Sequence, residues 1–215
     1  MRSRRENVTI AAAAFAAMSH PRDEFFTLNF NERVWPGLPP PLAFTGNTEQ
    51  LRAAVSAAPA RGMTAVYDAV AMGLRHLEGG TNDRKALVVV SDGGDNASTL
   101  TPDDVIEQAR GASAVIFAVT IVDPDNHDAM PRRLKTLASN SGGRTFTPAQ
   151  PAEVVAAFEQ IARELRSAYT IGFSAPDAPA GGFRRVRVLA RAVDGRELIT
   201  RTRAGYYAGP SSTDR

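Results

Sequence analysis

Two almost uninterrupted apolar runs, with a helical pattern between them, organise the middle of the chain. Residues 86–90 and residues 114–122 are each typical of a strand that other elements cover on both faces. Between them, residues 101–104 (Thr-Pro-Asp-Asp) predict a helix start, because threonine caps well, proline fits the first turn and acids favour the positive end of the helix dipole. Strand and helix patterns alternate in this way through most of the sequence. The alternation predicts an α/β fold with a doubly wound, mostly parallel sheet and helices on both faces.

Further elements flank these runs. Residues 25–30 (Phe-Phe-Thr-Leu-Asn-Phe) read as a strand entering a hairpin, and the Pro-rich residues 36–41 read as a surface turn. A helix capped by Asn47 or Thr48 follows, and residues 153–167 predict the last helix of the α/β part. Another helix begins at or beside Thr64 and carries an apolar stripe of Val66, Val70, Leu74 and Leu77.

The pattern changes after residue 167. Residues 169–173, 183–190 and 198–207 alternate or carry β-branched side chains, and Asp194-Gly195 is a hairpin signal between the last two. We therefore predict an antiparallel β-hairpin appendage. The predicted units are an α/β domain over residues 1–167, the appendage over residues 168–208, and a disordered tail over residues 209–215.

Composition limits the possible chemistry. Hydrophobic residues make up 43% of the chain, which is ordinary for a folded protein. The absence of cysteine excludes disulfides, thiolate metal sites and cysteine nucleophiles. The net charge is only +2, and the basic residues 184–187 alternate as on the outer face of a strand, so we expect no nucleic-acid partner. No apolar run reaches the roughly 20 residues of a membrane span.

The N-terminal segment allows two interpretations. Its basic start and the alanine run that follows resemble a short signal peptide. Glu6 and Asn7 interrupt that pattern, and Val8, Ala11 and Phe15 fall on one side of an amphipathic helix. We favour the helix, and the sequence leaves the compartment undetermined.

Thr64 and Asp92 are the main candidate site residues. Thr64 stands at a predicted helix start and is either a helix cap or a ligand. Asp92 follows a buried-type strand and is either a turn residue or part of a site, because α/β folds bind ligands at the carboxyl ends of their strands. Asp68 is favoured as a partner of the helix dipole rather than as a ligand.

The chain resembles the von Willebrand factor A (VWA) domain, and within it the VWFA-related proteins of Acidobacteria. The resemblance extends over residues 6–208. The segments that carry it are residues 23–33, 61–69, 84–96, 141–146 and 203–207. It implies a Rossmann-like sheet whose upper rim binds a divalent cation, usually Mg²⁺, and through it an acidic group of a protein partner. It also implies an extracytoplasmic location if a segment upstream of residue 1 is missing.

The resemblance assigns the metal site only in part. It places Thr64 as the threonine of a metal-ion-dependent adhesion site, Asp92 as the aspartate of the strand-end loop, and Asp95 in the outer shell. The Asp-x-Ser-x-Ser motif of the family, which follows its first central strand, is absent, and Ala97 stands where a serine would be needed. Mg²⁺ prefers six oxygens in an octahedron. We therefore expect an incomplete site with weak or absent Mg²⁺ binding, a fold that lacks the first central strand, and a chain that is a fragment of a longer protein.

Three functions follow in order of preference. The first is a non-enzymatic, adhesion-type module that binds a protein partner through the upper rim. The second is a nucleotide- or phosphate-binding enzyme, for which residues 91–94 (Ser-Asp-Gly-Gly) are only a weak phosphate signal. The third is a scaffold piece with an inactive metal site. The acidic residues Asp123, Asp125 and Asp128, with His127, match no metal-binding spacing and read as a solvated loop.

Overall fold

The computed structural model describes residues 2–57, 63–92, 94–121, 131–173 and 182–207. The helices are α1 (Arg2–Ala17), α2 (Thr48–Ser56), α3 (Val66–Glu78), α4 (Pro102–Gly111), α5 (Pro131–Ser141) and α6 (Pro151–Ser167). The strands are β1 (Leu28–Phe30), β2 (Val34–Pro36), β3 (Lys85–Ser91), β4 (Ala114–Thr120), β5 (Thr145–Phe146), β6 (Phe183–Arg185), β7 (Ala190–Arg191), β8 (Glu197–Leu198) and β9 (Gly205–Tyr207).

A parallel sheet of order β3-β4-β5 forms the centre of the fold. The register of β3 against β4 runs without interruption from the pair Lys85–Ala114 to the pair Ser91–Thr120. Strand β5 adds to β4 at Ala118. The two apolar runs of the sequence are thus adjacent parallel strands, and the predicted α/β class is confirmed.

Helices cover both faces of this sheet. On one face, α3, α4 and α5 pack with Val89 of β3 and Ile116 of β4 into one apolar cluster. On the other face, α1 and α6 pack with Val119 of β4 into a second cluster, against which Val88 and Val90 of β3 also lie. Alternate residues of each strand therefore supply the two cores, as expected for strands buried on both sides.

Strands β3 and β4 differ in burial although each carries an almost uninterrupted apolar run. Ile116 and Val119 of β4 are 0% exposed. Val88 and Val90 of β3 are only half-buried. The cause is the position of β3 at the edge of its sheet, since β1 and β2 pair with each other in a separate two-stranded sheet.

Two helices, α2 and α4, are capped at their starts by side chains that the sequence predicted as caps. The Asn47 side chain accepts hydrogen bonds from the backbone at the start of α2. At α4, Thr101 Oγ1 accepts from Asp104 N while Asp104 Oδ2 accepts from Thr101 N at 2.9 Å, which completes a capping box. The Thr101 hydroxyl, and then the Thr101 backbone, hold the pKa of Asp104 below its ordinary value.

The C-terminal part is antiparallel, as predicted. Strand β6 pairs with β9 and β7 pairs with β8, and the turn between β7 and β8 contains Gly195 at φ 84°. The strand predicted at residues 169–173 is wrong. That segment forms no strand, and Tyr169 is 92% exposed. Alternating apolar residues form a strand only where a partner edge is available, and no described strand pairs with this segment.

Three predictions made from the sequence are not tested by the described structure. The acidic loop at residues 123–128 and the tail at residues 209–215 lie outside the described residues. The domain boundary after residue 167 stays a prediction. Among the described residues, no helix has both the length and the apolar character that crossing a membrane requires.

Candidate functional site

Two loops meet at the carboxyl end of β3 and form a surface that we call the rim, defined by Thr64, Asp92 and Asp95. Thr64 N donates to Asn96 Oδ1 at 2.7 Å. In return, Asn96 N and Ala97 N donate to Thr64 O at 3.0 and 3.2 Å. These three bonds hold Thr64 against the loop that carries Asp92 and Asp95. The structure therefore brings together all three residues that the sequence predicted.

Thr64 does not cap the helix that follows it. Helix α3 begins at Val66, its N-cap is Ala65, and Ala65 has no side chain that accepts a hydrogen bond from the helix. The predicted helix is present and begins two positions after Thr64, and of the two interpretations of Thr64 the structure contradicts the helix cap. The Thr64 main chain is instead committed to the loop after β3, which holds it outside the helical turn.

Asp95 and Ser98 cap α3 from the neighbouring loop. Tyr67 N donates to Asp95 Oδ2 at 3.1 Å, and both Tyr67 N and Asp68 N donate to Ser98 Oγ at 3.1 Å. Ser98 Oγ also donates to Asp95 Oδ2 at 2.6 Å. Two of the first helix amides, which have no partner within the helix, are satisfied in this way, and a carboxylate lies at the positive end of the dipole. The outer-shell metal role of Asp95 stays a prediction.

Asp68 of α3 ties this helix to the loop after β3. It lies in the first turn of α3, as the dipole interpretation expected. Its carboxylate also accepts from Thr99 N at 2.9 Å, from Leu100 N at 3.0 Å and from Thr99 Oγ1 at 3.2 Å. Sequence reasoning missed this second role, because the partners are about thirty positions away along the chain.

Asp92 is both a turn residue and a rim residue. Gly94 N donates to Asp92 Oδ1 at 3.0 Å, an Asx-type turn that fixes the carboxylate close to the end of β3. Asp92 and Thr64 line the same cavity, so their side chains border a shared space. The turn and site interpretations of Asp92 are therefore compatible.

One positive charge lies beside the rim and was not predicted. Arg133 of α5 donates from Nη1 to the Tyr67 hydroxyl at 3.4 Å. This hydrogen bond, with smaller contributions from the charges of Tyr67, Asp103 and Asp95, raises the pKa of Arg133 above its ordinary value. Like any arginine, Arg133 is a cation at physiological pH, and its side chain is exposed.

The rim offers few free oxygens for a metal. Within the described ranges, no three side chains of the His, Cys, Asp and Glu types come together as a potential metal site. One oxygen of Asp95 already accepts from Tyr67 N and Ser98 Oγ, and one oxygen of Asp92 accepts from Gly94 N. Magnesium requires about six oxygens in a near-ideal octahedron. The side chains of Thr64, Asp92 and Asp95 are the oxygen donors that the described rim presents to such an ion.

Comparison with known proteins identifies a family for this fold. The profile of the von Willebrand factor type A domain matches residues 6–161. No curated protein sequence gives a significant match. The profile match includes the rim and the parallel sheet, but not the C-terminal antiparallel strands.

Several solved structures share the fold. A von Willebrand factor type A protein from Catenulispora acidiphila has a TM-score of 0.64 at 18% identity over 76% of this chain, and the match spans 38% of that protein. An aerotolerance-related membrane protein from Bacteroides fragilis has a TM-score of 0.59 at 11% identity, over 76% of this chain and 89% of that one. Proximal thread matrix protein 1 from the mussel byssus has a TM-score of 0.58 at 13% identity, over 77% of this chain and 43% of that one. At these identities the likeness establishes the fold alone.

Proposed function

Because the chain belongs to the von Willebrand factor type A family, we propose that it is a non-enzymatic module that binds a protein partner through its rim. Domains of this family generally mediate protein–protein interactions. The observation that carries the proposal is the attachment of Thr64 to the loop after β3, which joins two loops into one surface. That surface lies at the carboxyl end of a parallel strand, where open α/β sheets bind their ligands.

The rim has the composition of a polar contact surface. Thr64, Asp92 and Asp95 are half-buried, so their positions are fixed while part of each residue reaches solvent. Asn96 is exposed beside them. Arg133 adds a cation that a carboxylate of the partner can approach. Fixed acceptors beside one cation favour a partner surface that carries both hydrogen-bond donors and an acidic group.

We further propose that contact through these residues alone does not require a metal. A bound Mg²⁺ would supply an open coordination position for an acidic group of the partner. Thr64 and Asp92 are the residues that would contribute to holding it, with Asp95 behind them. Two side chains leave most of the six positions to water, and Mg²⁺ then gains little over its fully hydrated state.

Calorimetric titration with Mg²⁺ or Mn²⁺ tests the metal proposal. For the present chain we expect no saturable binding, or a dissociation constant of about 1 mM or weaker. A chain extended upstream by an apolar strand that ends in Asp-x-Ser-x-Ser should bind at least about a hundredfold more tightly, because three further oxygen-bearing side chains become available. Equally tight binding by both chains would show that the serine motif is not required.

Site-specific photo-cross-linking tests the location of the binding surface. A photoreactive residue replaces Asn96 on the rim in one variant. In a matched control it replaces Asp83, which is exposed in the loop at the opposite, amino end of β3. We expect one protein from the native organism to cross-link through position 96 and not through position 83. Cross-links that favour position 83, or that are equal at both positions, would place the contact elsewhere.

A further inference from the structure

The C-terminal strands present one regular face to solvent. Most of the large exposed apolar side chains of the described residues lie after residue 167, beyond the segment that matches the family profile. In residues 185–193 the exposure alternates with a period of two, because every odd-numbered residue is exposed and every even-numbered residue is half-buried. This is the alternation of a strand that has protein on one face and solvent on the other.

The second arm of the β7–β8 hairpin extends this exposed face. Arg191 of β7 pairs with Glu197 of β8, and the same register places Leu189 opposite Ile199. Residues directly opposite each other in an antiparallel pair project to the same side. We call the resulting surface the outer face, which comprises Arg187, Leu189, Arg191, Val193, Glu197, Ile199 and Arg201.

Three aliphatic side chains of the outer face have almost no protein cover. Leu189 is 65% exposed, Ile199 is 92% exposed, and Val193 in the hairpin turn is fully exposed. Single exposed apolar residues are common on soluble proteins, but several on one face mark a contact surface. The outer face therefore gains free energy when an apolar phase covers it.

The charges around these aliphatic side chains are mostly positive. Residues 183–203 contain seven arginines but only two acidic residues. One of the acids, Asp194, is already paired with Arg196 at 2.8 Å. The outer face thus carries a positive charge that an anionic partner complements.

An anionic lipid bilayer matches this face better than a protein or a nucleic acid does. Lipid phosphates accept hydrogen bonds from guanidinium groups, and the boundary between headgroups and acyl chains accepts aliphatic side chains. Nucleic-acid single strands are held largely by stacking on aromatic side chains, and the outer face has none. Protein contacts concentrate on aromatic anchors in well-packed pockets, whereas the apolar residues here are aliphatic and strongly exposed.

The C-terminal strands are attached to the end of the domain opposite the rim. Arg203 Nη2 donates to Arg110 O at 2.7 Å and to Ala112 O at 2.9 Å, where α4 ends and β4 is about to begin. Ala204 N donates to Asn140 O at 3.0 Å, in the last turn of α5 before β5. These contacts lie at the amino end of the parallel sheet, and the rim lies at its carboxyl end. A contact through the outer face therefore leaves the rim accessible.

We propose that the outer face docks this chain onto the surface of a bilayer that contains anionic phospholipids. Arg187, Arg191 and Arg201 contact lipid phosphates, while the aliphatic side chains enter the boundary between headgroups and acyl chains. The attachment is peripheral and reversible. It is independent of the proposed function of the rim, because it uses different residues at the other end of the domain.

Sedimentation of the whole chain with lipid vesicles tests the proposal. One set of vesicles contains phosphatidylcholine alone, and the other contains about one third phosphatidylglycerol, which supplies the anionic headgroups. We expect saturable binding to the anionic vesicles and at least about tenfold weaker binding to phosphatidylcholine alone. High salt should weaken the binding to anionic vesicles, because it screens the attraction between arginine and phosphate.

A charge variant with a matched control locates the electrostatic contact. Arg187→Gln combined with Arg191→Gln should weaken binding about twentyfold, since each basic residue near an anionic surface contributes about a factor of five. Arg33→Gln combined with Arg75→Gln removes the same charge from exposed positions outside the outer face. This control should stay within about twofold of the wild type.

An apolar variant with its own control locates the inserted side chains. Leu189→Ser combined with Ile199→Ser should weaken binding at least about tenfold. Ile10→Ser combined with Leu42→Ser changes two exposed apolar residues elsewhere and should have an effect below about twofold. Leu189 and Ile199 are exposed, so their variant should retain the Tm of the wild type to within about 2 °C.

A fluorescent label reports which end of the domain meets the bilayer. Since the chain has no cysteine, a single introduced cysteine takes a nitrobenzoxadiazole label at one position only. At Val193→Cys the emission should shift to the blue and rise at least about twofold on addition of anionic vesicles. At Met63→Cys, an exposed position next to Thr64 of the rim, the emission should not change.

Several results would overturn the proposal. These are no binding to either kind of vesicle, equal binding to both, or a loss in the control variants as large as in the outer-face variants. Binding to a glutamate homopolymer or a uridine homopolymer without binding to vesicles would overturn it in favour of an acidic protein or a nucleic acid. Because the rim is not involved, rim cross-linking can fail while vesicle binding succeeds, and the reverse.

Discussion

Replacing Gly143 by alanine should unfold the protein at a much lower denaturant concentration, with a loss of about 3 kcal/mol or more in the free energy of unfolding. A Cβ at this position would lie 2.0 Å from Ile116 O and 2.8 Å from Ile116 C. Both atoms belong to the backbone of β4, the central strand of the parallel sheet, so neither can move aside as a side chain could. The loop must shift instead, which breaks the hydrogen bond of 3.0 Å from Ala118 N to Arg144 O and weakens the pairing of β4 with β5.

Gly111→Ala is the matched control for this substitution. Gly111 is the last residue of α4, and nothing lies within 4 Å of a Cβ added there. Alanine in a helix is favoured over glycine by up to about 1 kcal/mol, so this variant should be as stable as the wild type or slightly more stable. Urea unfolding of both variants measures the difference. Similar midpoints for the two variants would contradict the close approach of residue 143 to β4.

Replacing Asp68 by alanine should destabilise the protein by about 2–3 kcal/mol and loosen the loop after β3. The Asp68 carboxylate accepts hydrogen bonds from the backbone amides of Thr99 and Leu100, and Leu100 is half-buried. Without the carboxylate these amides lose a charged acceptor, and the loop that carries Asp95 loses one of its attachments to α3. Thermal unfolding, followed by circular dichroism, measures the loss.

Two further variants separate this contact from a general charge effect. Asp68→Asn retains one carbonyl oxygen and should fall between the wild type and Asp68→Ala. Asp83→Ala removes an exposed carboxylate in the loop before β3 and should change stability by less than about 0.5 kcal/mol. A loss for Asp83→Ala as large as for Asp68→Ala would mean that the cross-loop hydrogen bonds contribute little.

Much of the fold follows from local pattern alone. The apolar residues 86–90 required cover on both faces, and β3 has a helical layer on each side. The Thr101 cap is a local arrangement of side chain and backbone, so residue types at fixed spacing were sufficient to predict it. The strand-end position of Asp92 also followed from local pattern, whereas the proximity of Thr64 to the Asp92 loop was implied only by the resemblance to the VWA domain.

What the sequence did not reveal depends on partners that are distant along the chain. Asp95 caps α3 only because the loop after β3 folds onto the helix start, and no local spacing indicates this. Periodicity at residues 169–173 indicated a strand, but periodicity carries no information on whether a partner edge exists.

The most direct measurement for a protein-binding rim is the affinity of the cross-linked partner, once purified, for three forms of the chain. These are the wild type, Asp92→Ala on the rim, and the control Asp83→Ala at the opposite end of β3. If the rim forms the contact, Asp92→Ala should weaken binding by at least about tenfold, or about 1.4 kcal/mol, while Asp83→Ala should stay within about twofold of the wild type. Equal dissociation constants for all three forms would contradict binding through the rim.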